Sequence, residues 1–271
     1  MAHTKIVQIC GGLGNQMFQY AFGIVLMSRG HHVLYDTSPY SMRHRCTIRA
    51  LELPHFNVRL PLATRRQARA MSNEYVCGIR LPKMIRRCFS RSINENSFPD
   101  GMWPRLAPDV PGDTYYTGVF ANFDYLSPYR TDIEKAFTLQ TPLTPANAAM
   151  LRNIRSTESV SLHVRRGDYV RLGLACDVSC YQQPIAEMMR ALAHPHFFVF
   201  SDDIAWARQN VPVPAPHTFV DMNDGATGYF DMELMRNCQH NICAASTFSA
   251  WAAYLNPNPH KTARVVGVMK N

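Results

Sequence analysis

The more regular pattern of apolar and polar positions lies in the carboxy-terminal half of the chain. Short unbroken apolar runs, SVSLHV (Ser159 to Val164), HFFVFS (His196 to Ser201), TFVD (Thr218 to Asp221), NICA (Asn241 to Ala244) and ARVVGV (Ala263 to Val268), alternate with segments of helical character, PIAEMMRALA, IAWARQN, DMELMRNC and AWAAYLN. Strands covered on both faces show no polar alternation, so this pattern predicts a parallel, doubly wound sheet. The amino-terminal half opens similarly. A β-prone run, KIVQIC (Lys5 to Cys10), leads through a Gly-rich turn into NQMFQYAFGIVLMSRG, a buried helix closed by Gly30, and then into a second strand, HVLYD (His32 to Asp36). Between Thr37 and Pro111 no period is sustained, and short helices and loops are expected. Asp113 to Leu126 reads as a strand followed by an aromatic loop, Tyr129 to Phe137 as a helix, and Thr141 to Asn147 as a linker ending in a helix start.

A length of 271 residues fits two domains, placed here at 1–150 and 151–271. The composition, 46% hydrophobic and 18% charged, is that of a globular protein and excludes a disordered one. The formal charge of +8 calls for an anionic partner but does not choose among nucleotide, nucleic acid and membrane. Its basic clusters include RLPKMIRRCFSR (Arg80 to Arg91), which has the mixed character of a basic amphipathic helix and equally that of a solvated helix face. The aromatic-basic ribonucleoprotein signature is missing, so nucleic acid is not the expected partner. With no secretory signal and no run suited to a bilayer, the expected location is cytoplasmic, with peripheral contact at the inner face of the plasma membrane. The eight cysteines are scattered. The pairs Cys176/Cys180 and Cys238/Cys243 lack zinc-knuckle spacing and read as buried or free thiols.

In an open parallel sheet the ligand crevice lies beyond the carboxyl ends of the strands. Here those ends carry Arg165, Arg166, Gly167 and Asp168; Asp202 and Asp203; Asp221 and Asn223; and Ser246, Thr247 and Ser249. An arginine pair suits a diphosphate, because guanidinium forks match phosphate oxygens and stabilise charge on a leaving diphosphate. Asp168 would orient the arginines, His163 would hydrogen-bond ribose, base or phosphate, and the Ser/Thr turn would offer N–H groups and hydroxyls to an anion. Asp202 and Asp203, being adjacent on an extended chain, would diverge, so no metal pair is expected. The loop GGLGNQ (Gly11 to Gln16) resembles a dinucleotide fingerprint only as far as Gly12 and Gly14, since Met17 takes the third glycine position. Asn15 and Gln16 would instead point amides across an interdomain cleft. Asp36, Asp124 and Glu134 are candidate bases in the amino-terminal half, each also readable as an ordinary surface or capping residue.

In order and spacing, GGLGNQMFQYAFG, SLHVRRGDYV, FFVFSDDIAWA and DMELMRNCQHNICAASTFSAWAAYLN resemble the motifs of glycosyltransferase family 11, the α-1,2-fucosyltransferases, relatives of the α-1,6- and protein O-fucosyltransferases. The resemblance implies an α/β, GT-B-like enzyme with two facing Rossmann-like domains, each with a parallel sheet, the first on the acceptor side and the second binding GDP-fucose. It implies metal-independent, cofactor-free, inverting transfer of L-fucose from GDP-fucose to the 2-hydroxyl of a terminal galactose, on an oligosaccharide or a lipid-linked glycan of the O-antigen type. By this similarity Arg165 contacts the donor diphosphate, with His163, Arg166, Asp168 and Asp202 beside it. Asn15 lies near the β-phosphate and reaction centre, Ser246, Thr247, Phe248 and Ser249 contact the nucleotide, and Glu233 lies near it. Ala250 and Ala252 depart from the aromatic residue and glycine usual there, and VVGVMKN from the usual Pro and Trp-aromatic finish. Another fucosyl linkage and a non-catalytic nucleotide-binding protein are the alternatives.

Overall fold

The structure, a computed structural model, describes residues 2–41, 49–72, 91–98 and 102–267. The chain forms two compact units, Met1–Gln140 and Thr141–Asn271. The break falls ahead of the 150/151 boundary expected above, because the helix Pro145–Arg155, capped by the Thr144 side chain, packs with the second unit. The basic segment Arg80 to Arg91 lies outside the described residues except for Arg91.

Unit 1 holds a four-stranded parallel sheet in the order β2-β1-β4-β3, with β1 Thr4–Gln8, β2 His32–Asp36, β3 Ser92–Asn94 and β4 Thr114–Thr117. β3 was not readable from the sequence, since three half-buried residues carry no periodicity. Helix α1, Leu13–Ser28, is buried from Leu13 to Leu26 apart from Asn15. It ends at Gly30, whose φ of +80° is the left-handed turn a helix terminus requires. Gly23 lets α1 close on the sheet: a Cβ there would stand 2.1 Å from the Tyr35 hydroxyl. Lys5 is fully buried, and its ammonium donates to the carbonyls of Val110 and Gly112 and to the Thr114 hydroxyl, fixing the approach to β4. Helices α2, Arg65–Ser72, and α3, Arg130–Ala136, complete the longer elements of this unit.

Unit 2 begins with α4, Pro145–Arg155, followed by β5 Glu158–Val164, α5 Gly167–Arg171, α6 Ser179–Ala191, β6 Pro195–Ser201, α7 Ile204–Asn210, β7 His217–Val220, α8 Gly228–Arg236, β8 His240–Ala244, α9 Thr247–Leu255 and β9 Ala263–Val266. Its five strands are parallel in the order β7-β6-β5-β8-β9. The chain lays β5, β6 and β7 outward in one direction, then crosses back to place β8 and β9 on the other side of β5. The reversal falls between β5 and β8, where loops leave the sheet in opposite directions and a crevice opens. Val160, Leu162, Val199 and Ile242 fill one side of the core together with Tyr181, Ile185 and Met188 of α6.

The expectation of free thiols fails at one pair. Cys176 and Cys180 form a disulfide, their Cα atoms 6.3 Å apart across the four-residue step into α6. That separation lies within the range a disulfide spans, which spacing alone does not reveal. Cys238 and Cys243 are buried free thiols, their pKa values pushed upward by burial.

Candidate active site

The site grows from the end of β5. His163, its penultimate residue, is buried, and burial reinforced by the Arg165 charge pushes its imidazole down to about 3. It is therefore neutral at physiological pH. Its Nδ1 is buried without a hydrogen-bond partner among the described residues, and its ring lies 5.7 Å from that of Phe248 at the start of α9, across the β5/β8 crevice.

Beyond Val164 the two arginines part company. Arg165 is held between two carboxylates, Nη2 at 2.5 Å from Asp168 Oδ1 and Nη1 at 2.7 Å from Asp202 Oδ2. Its guanidinium also lies 5.2 Å from the Tyr169 ring. Arg166 instead stacks on the Trp206 ring of α7, 3.5 Å from its centroid, with Asp203 at 4.0 Å. The pair thus does not act as one fork. Asp202 fixes the turn in two ways, taking the Arg166 backbone N–H at 2.8 Å with Oδ1 and the Arg165 side chain with Oδ2. Gly167 makes this possible, because a Cβ there would stand 2.4 Å from Asp202 Oδ2. Asp203 points away and caps α7, accepting the Trp206 N–H at 3.1 Å. The two aspartates diverge, as their adjacency on a strand end predicts.

Ser246, Thr247, Phe248 and Ser249 do lie at the end of β8, next to β5. The two serines use their hydroxyls differently. Ser246 Oγ accepts the Phe248 N–H at 3.3 Å as the α9 cap, and the buried Ser249 Oγ donates to the Ala244 carbonyl at 3.3 Å. Both are committed to shaping the turn. Tyr169 spans from α5 to this turn, its hydroxyl donating to the Ala245 carbonyl at 3.2 Å. Between them opens a cavity of about 300 Å³, lined by Arg165, Tyr169, Leu174, Cys176, Tyr181, Ala245 and Gly267 among others.

The end of β7 does not join this cluster through its polar groups. Asp221 pairs with Arg208, and Asn223 exchanges two amide hydrogen bonds with Asn147 of α4, at 2.9 and 3.0 Å, while donating to Asp231 at 2.7 Å. Burial pushes the Asp231 carboxyl up to about 7. Glu233, taken from the resemblance as lying near the nucleotide, is directed along α8 instead. It accepts from Asn237 at 3.0 Å and lies 3.7 Å from Arg236, and Asn237 in turn accepts from Arg155 where α4 ends. Those are the ends of α8 and α4 that lead into the starts of β8 and β5, away from the strand ends that carry Arg165.

In unit 1, Asn15 lies half-buried in the first turn of α1 beside Gly11. The expectation for Gln16 is corrected. It is fully buried, accepting the Glu52 and Leu53 N–H groups and donating to the Gly11 and Ala50 carbonyls, so it clamps a loop rather than reaching into a cleft. Asp36 is likewise buried, accepting from the Tyr115 hydroxyl at 2.7 Å and the Ser38 N–H at 2.9 Å, and Glu134 pairs with Arg130. Asp124 is exposed in the short helix Phe123–Leu126. A carboxyl the sequence reading passed over, Glu52, is 5% exposed, and burial raises it to about 7 against the influence of Arg49.

Also missed were the aromatic supports of the arginines. Tyr169 stands four residues after Arg165, a helical step, and Trp206 stands three after the capping Asp203, so both were within reach of a spacing argument.

The model of the family described as glycosyl transferase family 11 matches residues 3–266. An alpha-1,2-colitosyltransferase of Escherichia coli is 29% identical over 265 residues, 92% of this chain and 87% of that protein. A galactoside 2-alpha-L-fucosyltransferase of Bos taurus is 32% identical over 162 residues, 54% of this chain and 43% of that protein. Among solved structures, NodZ alpha-1,6-fucosyltransferase soaked with GDP-fucose superposes with a TM-score of 0.54 at 14% identity, covering 95% of this chain and 94% of that one. At that identity the likeness speaks for the fold.

Proposed function

The chain belongs to glycosyltransferase family 11, and from that membership we propose that it transfers L-fucose from GDP-fucose, with inversion, to the 2-hydroxyl of a terminal galactose. One observation carries the reading: Arg165 stands at the β5/β8 crevice, gripped by two carboxylates, beside a cavity bounded by two tyrosines and the β8 and β9 ends. An anionic diphosphate entering there competes for the guanidinium with Asp168, at 39% exposure the more open partner, while Asp202, at 22%, keeps the arginine aimed. The charge that develops on departing GDP is then met by a donor already in place, and such preorganised donors contribute roughly 100-fold or more in rate. His163, kept neutral, adds a hydrogen-bonding group without a second positive charge. Arg166, stacked on Trp206, serves the loop rather than the diphosphate.

In this reading no metal ion takes part, because Asp202 and Asp203 are already committed to Arg165 and to the α7 cap, and the donor is a substrate rather than a cofactor. The acceptor is a galactose-terminated oligosaccharide or lipid-linked glycan. Among the described residues no helix is long and apolar enough to cross a membrane, and contact with a membrane surface through basic residues belongs to this proposal. The colitosyltransferase relative favours a second donor sugar, colitose.

A GDP-release assay separates these readings, run with GDP-fucose, GDP-colitose, GDP-mannose and UDP-galactose against lactose and N-acetyllactosamine. The expected result is acceptor-dependent release from GDP-fucose with an α-1,2-linked product. Release from GDP-mannose alone would overturn it, and preference for GDP-colitose would move the donor to the second reading.

A further inference from the structure

The disulfide found where free thiols were expected lies in the wall of the cavity beside Arg165. We propose that Cys176–Cys180 is a positioning element of the donor site, so that a dithiol reductant which opens it weakens donor binding while the chain stays folded. The inference rests on the reading of this cavity as the donor site.

The disulfide joins the two supports of Arg165. On one side, the segment after α5 turns at Gly173, with φ of +66°, and hangs from Tyr169, whose carbonyl accepts the N–H groups of Leu174 at 2.8 Å and Ala175 at 3.2 Å. Tyr169 is also the ring beside the Arg165 guanidinium and the hydroxyl bonded to Ala245. On the other side, Cys180 adjoins Tyr181 in the first turns of α6, a core residue 1% exposed whose hydroxyl faces the Arg165 backbone. Burial pushes that hydroxyl up to about 12, so it stays protonated. Cys176 and Cys180 both pack against the core cluster, and the Cys176 sulfur lies 3.6 Å from the position a Cβ on Gly267 would take at the end of β9. One covalent link thus ties the Tyr169 loop to the Tyr181 helix within the cavity wall.

Ahead of Cys176 the segment that hangs from Tyr169 exposes Leu172 and Leu174, at 63% and 39%, so these apolar side chains do not anchor it in the core. Reduction transfers two electrons from the dithiol, the S–S bond breaks, each sulfur takes up a proton, and the reductant leaves as its own disulfide. The closed ring is short, so its loss from the unfolded-chain constraint is at the small end for disulfides and the effect is local. The loop beside Tyr169 gains freedom that binding must then remove, which shows in donor affinity rather than in the chemical step.

The test compares the full chain as isolated with the same protein after dithiol treatment, alkylated and mapped by peptide mass at Cys176 and Cys180. Donor KM and kcat are measured with GDP-fucose at saturating acceptor, and thermal unfolding is followed in parallel. We expect both cysteines blocked before treatment and alkylated after it. We also expect a cooperative melt in both forms, and KM for the donor raised roughly tenfold with kcat within about twofold. The C176S/C180S variant should match the reduced form and ignore the reductant. Equal KM in two forms verified by mapping overturns the proposal, as does finding both cysteines alkylated in the air-oxidised protein. If neither form binds or turns over GDP-fucose, the donor reading fails instead.

Discussion

Two titratable side chains in unit 2, the buried His163 and the half-buried Asp231, pull the stability of the fold in opposite directions as pH changes. The folded pKa of His163, about 3, lies below its unfolded value of about 6.5, so the unfolded chain binds the extra proton between these limits and stability is lost as pH falls through that window. Asp231 is the reverse case. Its folded pKa of about 7 exceeds the unfolded value of about 3.9, so stability is fully present below pH 4 and lost as pH rises toward 7. Asp231→Asn keeps an oxygen to accept from Asn223 and removes the titration. The melting temperature of the variant relative to the parent should therefore climb between about pH 4 and pH 7, and a difference that stays flat across that range would show Asp231 ionised in the fold. His163→Gln should flatten the acid limb between about pH 6.5 and pH 3. Gly167→Ala tests the turn itself, because its Cβ meets Asp202 Oδ2 at 2.4 Å. We expect unfolding within about 1 kcal/mol of the parent, since the loop is exposed, but a clear loss of transfer as Asp202 is displaced from Arg165. Parental turnover would show that Asp202 does not aim the arginine.

The strands of unit 2 were legible element by element because both faces of each are covered, and covered strands print unbroken apolar runs. The same reasoning located Arg165, Asp202 and Ser246 at one edge of one sheet. It could not separate the two arginines, because the divergence of Arg165 and Arg166 depends on Trp206, an apolar-helix residue whose ring happens to face the loop. Nor could it tell that Ser249 donates its hydroxyl back to the Ala244 carbonyl while Ser246 accepts the cap bond, or that Asp221 and Asn223 at the end of β7 turn to Arg208, Asn147 and Asp231. In unit 1 the Gly loop was recognised and Gln16 misassigned, for a related reason. An amide at a helix start reads the same whether it faces solvent or a neighbouring loop, and here Ala50 to Leu53 supply three long-range backbone partners that no local pattern announces. Gln16→Leu leaves the buried Glu52 and Leu53 N–H groups without the acceptor Gln16 gives them. It should cost about 2 kcal/mol or more in chemical denaturation, and a change within experimental error would mean the loop finds other partners.

At the scale of the molecule, each unit is a parallel sheet with a polar crest at its strand ends, and the chemistry proposed here concentrates on the crest of unit 2. There, two arginines, Arg165 and Arg166, stand among three carboxylates, Asp168, Asp202 and Asp203, an excess of one negative charge, so the overall charge of +8 is not what would bind the donor. What matters is one guanidinium held where a leaving diphosphate would need it. The most direct test is single-turnover transfer from GDP-fucose by Arg165→Ala and Arg165→Lys, beside Arg166→Ala, each checked for parental unfolding behaviour. The account predicts that Arg165→Ala loses roughly 100-fold or more in rate, that Arg165→Lys recovers only part because it keeps the charge without the fork, and that Arg166→Ala is affected less than either. Turnover at the parental rate by a folded Arg165→Ala protein would contradict it.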